Sequence, residues 1–188
     1  TMARRKNPNQ LSLFGDWLIQ DLSSPKKIKD NQRFALALRL SDIFKEEGKI
    51  DSSILVEEAN RIFGGTQAEG VYSQKSAYDA MEVGINLFLR ETESPDWNNQ
   101  DASWAASKVV ELTEKISRLP TQSRRDGEME EFQQFSTPPP LAFAANWVAN
   151  ITSIDTVMEP QAGTGDLAIW ADIAGAKVVL NELSKRRT

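Results

Sequence analysis

The 188-residue sequence contains neither cysteine nor histidine. Without cysteine there are no disulfides and no thiolate metal ligands. Without histidine, Ser-His-Asp triads, Cys-His dyads and His-ligated zinc are excluded within the chain, and no metal is expected. No apolar run approaches the roughly 20 residues that a bilayer-spanning helix needs. No basic segment followed by an apolar one opens the chain as a signal peptide would. Cytoplasm is therefore the expected location, with no membrane partner.

What is present suits a globular protein: 40% of residues are hydrophobic and 26% are charged. The length fits one domain of ordinary size, or a small domain with part of another. A net charge of −5 argues against coating nucleic acid by bulk charge. The charge is uneven, however. Residues 1–33 hold seven Lys/Arg against three Asp, a balance of +4, so the remainder carries −9. Such a basic arm suits a phosphate contact, but charge runs are usually exposed surface, and a solvated, flexible terminus is the favoured reading.

Residues 1–32 read as a flexible arm with one apolar knot, Leu11-Ser12-Leu13-Phe14 with Trp17, Leu18 and Ile19. A helical pattern starts at Arg33. Phe34, Leu36, Leu38, Leu40, Ile43 and Phe44 wrap most of this first helix and predict that it is largely buried. Asp51 or Ser52 is placed to cap a second helix that stops at Gly64-Gly65. A third helix fits Ser73 to Arg90, with Tyr78, Met81, Ile85, Phe88 and Leu89 on one face. Ser94-Pro95 breaks the pattern. A fourth helix fits Asp101 to Leu119, with Ala105, Val109, Leu112, Ile116 and Leu119 as its apolar stripe, and Pro120 ends it. The helical domain is thus assigned to residues 33–120, and a polar connector to residues 121–132.

From residue 133 the grammar changes. Pro138-Pro139-Pro140 precedes an apolar, Ala-rich helix, with Pro140 in a first turn where its missing N–H costs nothing. Thr156-Val157-Met158 is a short buried-strand candidate. Gly165 to Ala174 fits a helix, and Ala176 to Leu180 a second strand. Strand, helix and strand within about thirty residues predict a βαβ unit with a parallel pair and a right-handed crossover. A two-strand sheet is marginal alone, so another chain at its open edge, by self-association, is one expected partner.

Ligands of open parallel sheets bind at the carboxyl ends of the strands. Glu159 ends the first strand here. Gly163 and Gly165 let the following loop turn tightly and approach a ligand. Glu182 ends the second strand, 17 residues past Gly165, near the spacing at which an acid reaches ribose hydroxyls. Two acids disfavour a polyphosphate and suit a cationic, ribose-bearing ligand such as S-adenosylmethionine. A Gly-x-Gly turn alone is equally a plain βα turn.

The segment Phe135-Ser136-Thr137-Pro138, the loop Glu159-Pro160-Gln161-Ala162-Gly163-Thr164-Gly165 and the terminal acid Glu182 together resemble the opening of the adenine-specific, amino-group DNA methyltransferases. In that family an aromatic-Ser/Thr-x-Pro or aromatic-Thr-Pro segment contacts the methionine end of the cofactor. An acidic-Pro-x-x-Gly-Ser/Thr-Gly loop and a second acid follow. The resemblance implies that Phe135, Ser136, Thr137, Pro138, Glu159, Pro160, Ala162, Gly163, Thr164, Gly165 and Glu182 bind S-adenosylmethionine. It also implies a mainly α chain with an α/β portion: a helical bundle, then the first βαβ unit of a truncated, Rossmann-like methyltransferase fold in residues 133–188. Residues 71–187 also resemble the methylase-like front end of phage and bacterial proteins of the strawberry notch type. The family's later Asp/Asn/Ser-Pro-Pro-aromatic segment, which binds the flipped adenine, is not found after Glu182. The sequence is therefore expected to be the N-terminal part of a longer DNA-binding enzyme, with no catalytic residue of its own and no activity alone.

Gln10-Leu11-Ser12-Leu13-Phe14 is similar to the pentapeptide by which many bacterial and phage proteins bind the sliding clamp of the replicative polymerase. Leu13 and Phe14 would fill an apolar pocket and Gln10 would hydrogen-bond at its rim. The same apolar side chains suit packing on the helical bundle. Two functional expectations follow: the cofactor half-site of a DNA methyltransferase, and a non-catalytic interaction module with a tethered clamp peptide.

Overall fold

The computed structural model describes residues 25–121 and 136–183. It is mainly helical, with one small parallel sheet. In chain order the elements are α1 (Pro25–Glu47), α2 (Ser52–Phe63), α3 (Gln74–Thr92), a 3-10 turn (Pro95–Asn99), α4 (Ala102–Ile116), α5 (Pro139–Val148), β1 (Thr156–Glu159), α6 (Ala168–Ile173) and β2 (Lys177–Leu180). Among the described residues no helix is long and apolar enough to cross a membrane. The clamp-like residues Gln10, Leu11, Leu13 and Phe14, the aromatic Phe135 and nearly all of the connector at 121–132 lie outside the described residues.

The four predicted bundle helices are all present, and local chemistry sets most of their ends. Asp51 caps α2 by accepting the Ser53 and Ile54 amides, each at 3.0 Å. The Ser53 hydroxyl, then the Ile54 amide, hold the Asp51 carboxyl below its usual range. Its contribution is therefore present above the ordinary carboxylate range and lost as pH falls through the lowered value. Ser73 caps α3 and Asp101 caps α4 through side-chain bonds to the Ser76 and Trp104 amides. The first helix starts at Pro25, eight residues before the predicted Arg33. Proline at the first helical position is already held at a helical φ, so the apolar periodicity that begins later is a poor guide to this end.

The expected roles of α1 and α3 are exchanged. Leu36, Ala37, Leu40, Ser41, Ile43 and Phe44 of α1 are buried, but Leu38 is 45% exposed. One stripe of α1 faces the protein rather than most of its circumference. The central helix is α3, which packs against α1, α2 and α6. It buries Ala77, Tyr78, Ala80, Met81, Gly84, Ile85 and Leu89 together with the polar Lys75, Asp79 and Asn86. Small residues permit this position. A Cβ added at Gly84 would stand 2.7 Å from the Ala37 carbonyl oxygen and 3.3 Å from the Ser41 nitrogen.

Gly84→Ala is accordingly expected to destabilise the protein by about 1–3 kcal/mol, because the obstruction is backbone. That exceeds the roughly 1 kcal/mol that alanine gains over glycine inside a helix. Chemical denaturation measures the sum. A variant as stable as wild type would mean that α1 and α3 do not cross this closely.

Residues 136–183 join the same core. Ala142 and Phe143 of α5 and Ile169, Trp170 and Ile173 of α6 belong to the cluster that contains Leu36, Leu40, Leu55, Leu89 and Leu112. The predicted strand, helix and strand are present, and the strands pair in parallel, with Val157 opposite Val178 and Met158 opposite Val179. Two expectations are corrected. The helix is shorter than Gly165 to Ala174, because residues 163–167 form a turn. The first strand is not buried: Thr156 is exposed, Val157 is partly covered and Met158 is 65% exposed. Alternation places Met158 and Val179 on the uncovered side of the sheet, whereas apolar composition alone cannot tell one-sided from two-sided cover.

Candidate functional site

The loop between β1 and α6 is laced to the end of β2. The Asn181 amide donates to the Glu159 carbonyl and the Ala162 amide donates to the Asn181 carbonyl, both at 2.9 Å. Asn181 Nδ2 donates to the Pro160 carbonyl at 3.0 Å. Gly163 and Gly165 adopt φ of +56° and +91°, a left-handed region that side chains resist. The Gly165 amide closes the turn on the Ala162 carbonyl at 2.8 Å, and the Gly165 carbonyl accepts from the Ile169 amide at 2.9 Å. The loop thus runs straight into α6. Before β1, Asp155 closes a turn by accepting from the Thr152 hydroxyl and amide, which hold its carboxyl below the usual range.

Each described candidate has a definite place. Glu159 ends β1, and its Oε1 accepts from the Gln161 amide at 3.0 Å, so this acid supports the turn. Glu182 Oε2 accepts from the Gly163 amide at 2.7 Å. The acid at the end of β2 therefore reaches the glycine loop, and the Gly163 N–H points at a carboxylate instead of an open anion site. Thr164 and Gly165 are buried, whereas Ala162 and Gly163 are half-buried. Pro160 lies exposed at the tip of the turn. The Pro138 carbonyl accepts from the Leu141 and Ala142 amides at 2.9 and 3.0 Å and starts α5, with Pro139 and Pro140 in its first turn. Thr137 is half-buried beside it.

The most informative contact is one that sequence reasoning missed. Glu82, in the middle of α3, accepts from Ser136 Oγ at 2.7 Å and from Thr164 Oγ1 at 3.0 Å through the same oxygen, Oε2. Ser136 and Thr164 come from the two separate motifs of the sequence reading, and one carboxylate from the helical bundle joins them. One turn along α3, Asn86 Nδ2 donates to the Thr164 carbonyl and to Asp166 Oδ1, each at 3.2 Å. Another turn along, Arg90 pairs with Asp172 of α6 at 2.9 Å. Thr164 Oγ1 also contacts Asp166 Oδ2. Asn146 of α5 adds a strut, donating to the Leu167 carbonyl at 2.9 Å.

The detectable signal was the spacing. Glu82, Asn86 and Arg90 recur every four residues along α3 and so form one polar line on the helix. Asp166, directly after Gly-Thr-Gly, was the other overlooked member. The loop is thus surrounded by four acids, Glu82, Glu159, Asp166 and Glu182. Such a surface repels phosphates and attracts a cation. Among the described residues no three acids lie close enough together to hold a metal ion.

Comparison of the chain with protein-family models, with characterised proteins and with solved structures finds no match.

Proposed function

We propose that residues 136–182 form part of an S-adenosylmethionine pocket of the DNA adenine methyltransferase type, as the start of a Rossmann-like sheet. One observation carries the reading: three motifs spread over more than forty residues of sequence converge on one loop. Ser136 and Thr164 share Glu82, and Glu182 accepts from Gly163. In this reading Ser136, Thr137 and Pro138 line the methionine end. The loop from Glu159 to Gly165 lies under the nucleoside, and Glu182 receives ribose hydroxyls. When bound, the cofactor would supply a transferable methyl group. The residues suit it, because acids surround the loop and the Gly163 amide that a phosphate would need is already engaged. The exposed Met158 and Val179 pair supports further cover of the sheet, as methyltransferase folds place layers on both faces. DNA would then be engaged through the longer protein.

Calorimetric titration with S-adenosylmethionine and S-adenosylhomocysteine tests the proposal. Saturable heat is expected from the chain or from any longer protein that contains it. Absence of binding by both overturns it.

A further inference from the structure

We propose that Glu82 of α3 is itself a binding residue, receiving the ammonium group at the amino-acid end of the ligand. This rests on the half-pocket reading above and extends the pocket into the helical bundle. Glu82 Oε2 accepts from the Ser136 hydroxyl and lies 3.0 Å from Thr164 Oγ1, whose single proton it shares with Asp166 Oδ2, so the carboxylate sits between the two motifs. Among the described residues nothing pairs with its other oxygen, Oε1, and no basic side chain pairs with Glu82. A half-buried carboxylate that two hydroxyls orient and no cation neutralises is a receptor for a positive group.

A second observation points the same way. Asn86 is 1% exposed, and its Oδ1 has no hydrogen-bond partner. Flipping the amide would not cure this, because Nδ2 already faces two acceptors, the Thr164 carbonyl and Asp166 Oδ1. The same cluster therefore holds a buried acceptor in want of a donor, an arrangement that native interiors rarely leave in place. A primary ammonium brings three donors and a charge. A divalent cation also likes oxygen ligands, but this cluster has only two carboxylates, Glu82 and Asp166.

The test pairs a protein change with a ligand change. S-adenosylhomocysteine keeps the ammonium, and its deaminated analogue replaces that group with hydrogen. Glu82→Gln preserves an oxygen acceptor for both hydroxyls and removes only the charge. For wild type, deamination is expected to weaken binding roughly tenfold or more, the scale of one hydrogen bond to a charged group. For Glu82→Gln the two compounds are expected to bind alike, and no tighter than the analogue binds wild type. A Glu82→Gln variant that weakens both ligands equally, or neither, assigns Glu82 a purely structural role and overturns the inference. The ligand comparison needs no variant, since equal affinity of wild type for both compounds overturns it too. If magnesium chloride binds in a Glu82-dependent manner while S-adenosylhomocysteine affinity ignores Glu82, the site takes metal and the inference fails. If wild type binds neither compound, the half-pocket reading itself has failed, an outcome distinct from the others.

Discussion

Trp170→Ala is expected to lower stability by about 3–5 kcal/mol, among the largest effects of any single truncation here. Trp170 has no exposed surface. Its ring meets Phe143 edge-on at a centroid distance of 4.9 Å and Trp97 at 6.2 Å, and those two rings stand 5.8 Å apart. The three rings come from α6, α5 and the 3-10 turn, so removing the central one opens a cavity where three segments meet. Neighbouring elements fix each wall, which limits collapse into the gap. Against a total stability of roughly 5–15 kcal/mol, such a loss is decisive. Trp170→Phe separates volume from polarity. Trp170 Nε1 is buried without a hydrogen-bond partner, so phenylalanine discards no bond and should cost well under half as much. Denaturant unfolding of both variants checks this. Near-equal losses would show that a phenyl ring cannot hold the three segments together and that the whole indole surface is needed. Because α6 follows the glycine loop directly, Trp170→Ala should also weaken any ligand bound there.

Asp79→Ala is the second large effect, at about 3–5 kcal/mol. Lys75 and Asp79 form an ion pair one turn apart on α3, with their side chains only 3% and 7% exposed. Taking both charges out of water is costly, and the Lys75 ammonium is tolerated because Asp79 faces it. Removing Asp79 leaves the Lys75 ammonium buried without its partner. The contrast is Lys45 with Glu91, whose side chains are 53% and 59% exposed. That pair is screened by water, so Glu91→Ala should scarcely register. The paired replacement Lys75→Met with Asp79→Leu should recover most of the loss, since apolar substitutes for a buried pair are often neutral. Equal small losses for Asp79→Ala and Glu91→Ala would show that Lys75 finds water or another partner.

These two sites show where sequence reading stops. Lys75 and Asp79 look like a solvated i, i+4 pair in the sequence, because nothing local says that the helix bearing them lies at the centre. The same reasoning misplaced α1, whose evenly spread apolar residues resemble a buried helix more than α3 does. Burial depends on which helices surround which, and α3 lies between α1 on one side and α6 on the other. That arrangement is made by residues far apart in the chain. The glycine loop was legible because a strand, two glycines and a closing acid are a local signal. Glu82 and Asn86 were not, since their partners lie 54 to 82 residues away.

By itself the sequence determined the local grammar: the helices and most of their ends, the Gly-Thr-Gly turn, the two strands as a parallel pair, and the absence of thiol and imidazole chemistry. These follow from backbone geometry, side-chain capping and composition, all of which act within a few residues. Only the tertiary structure decided that α3 is the central helix, that the bundle and the sheet share one core, and that Glu82 joins Ser136 to Thr164. Those outcomes rest on close approach, at Gly84 against the α1 backbone and at Trp170 between two other rings. Contacts of that kind cannot be read from any one segment, because each is made by two.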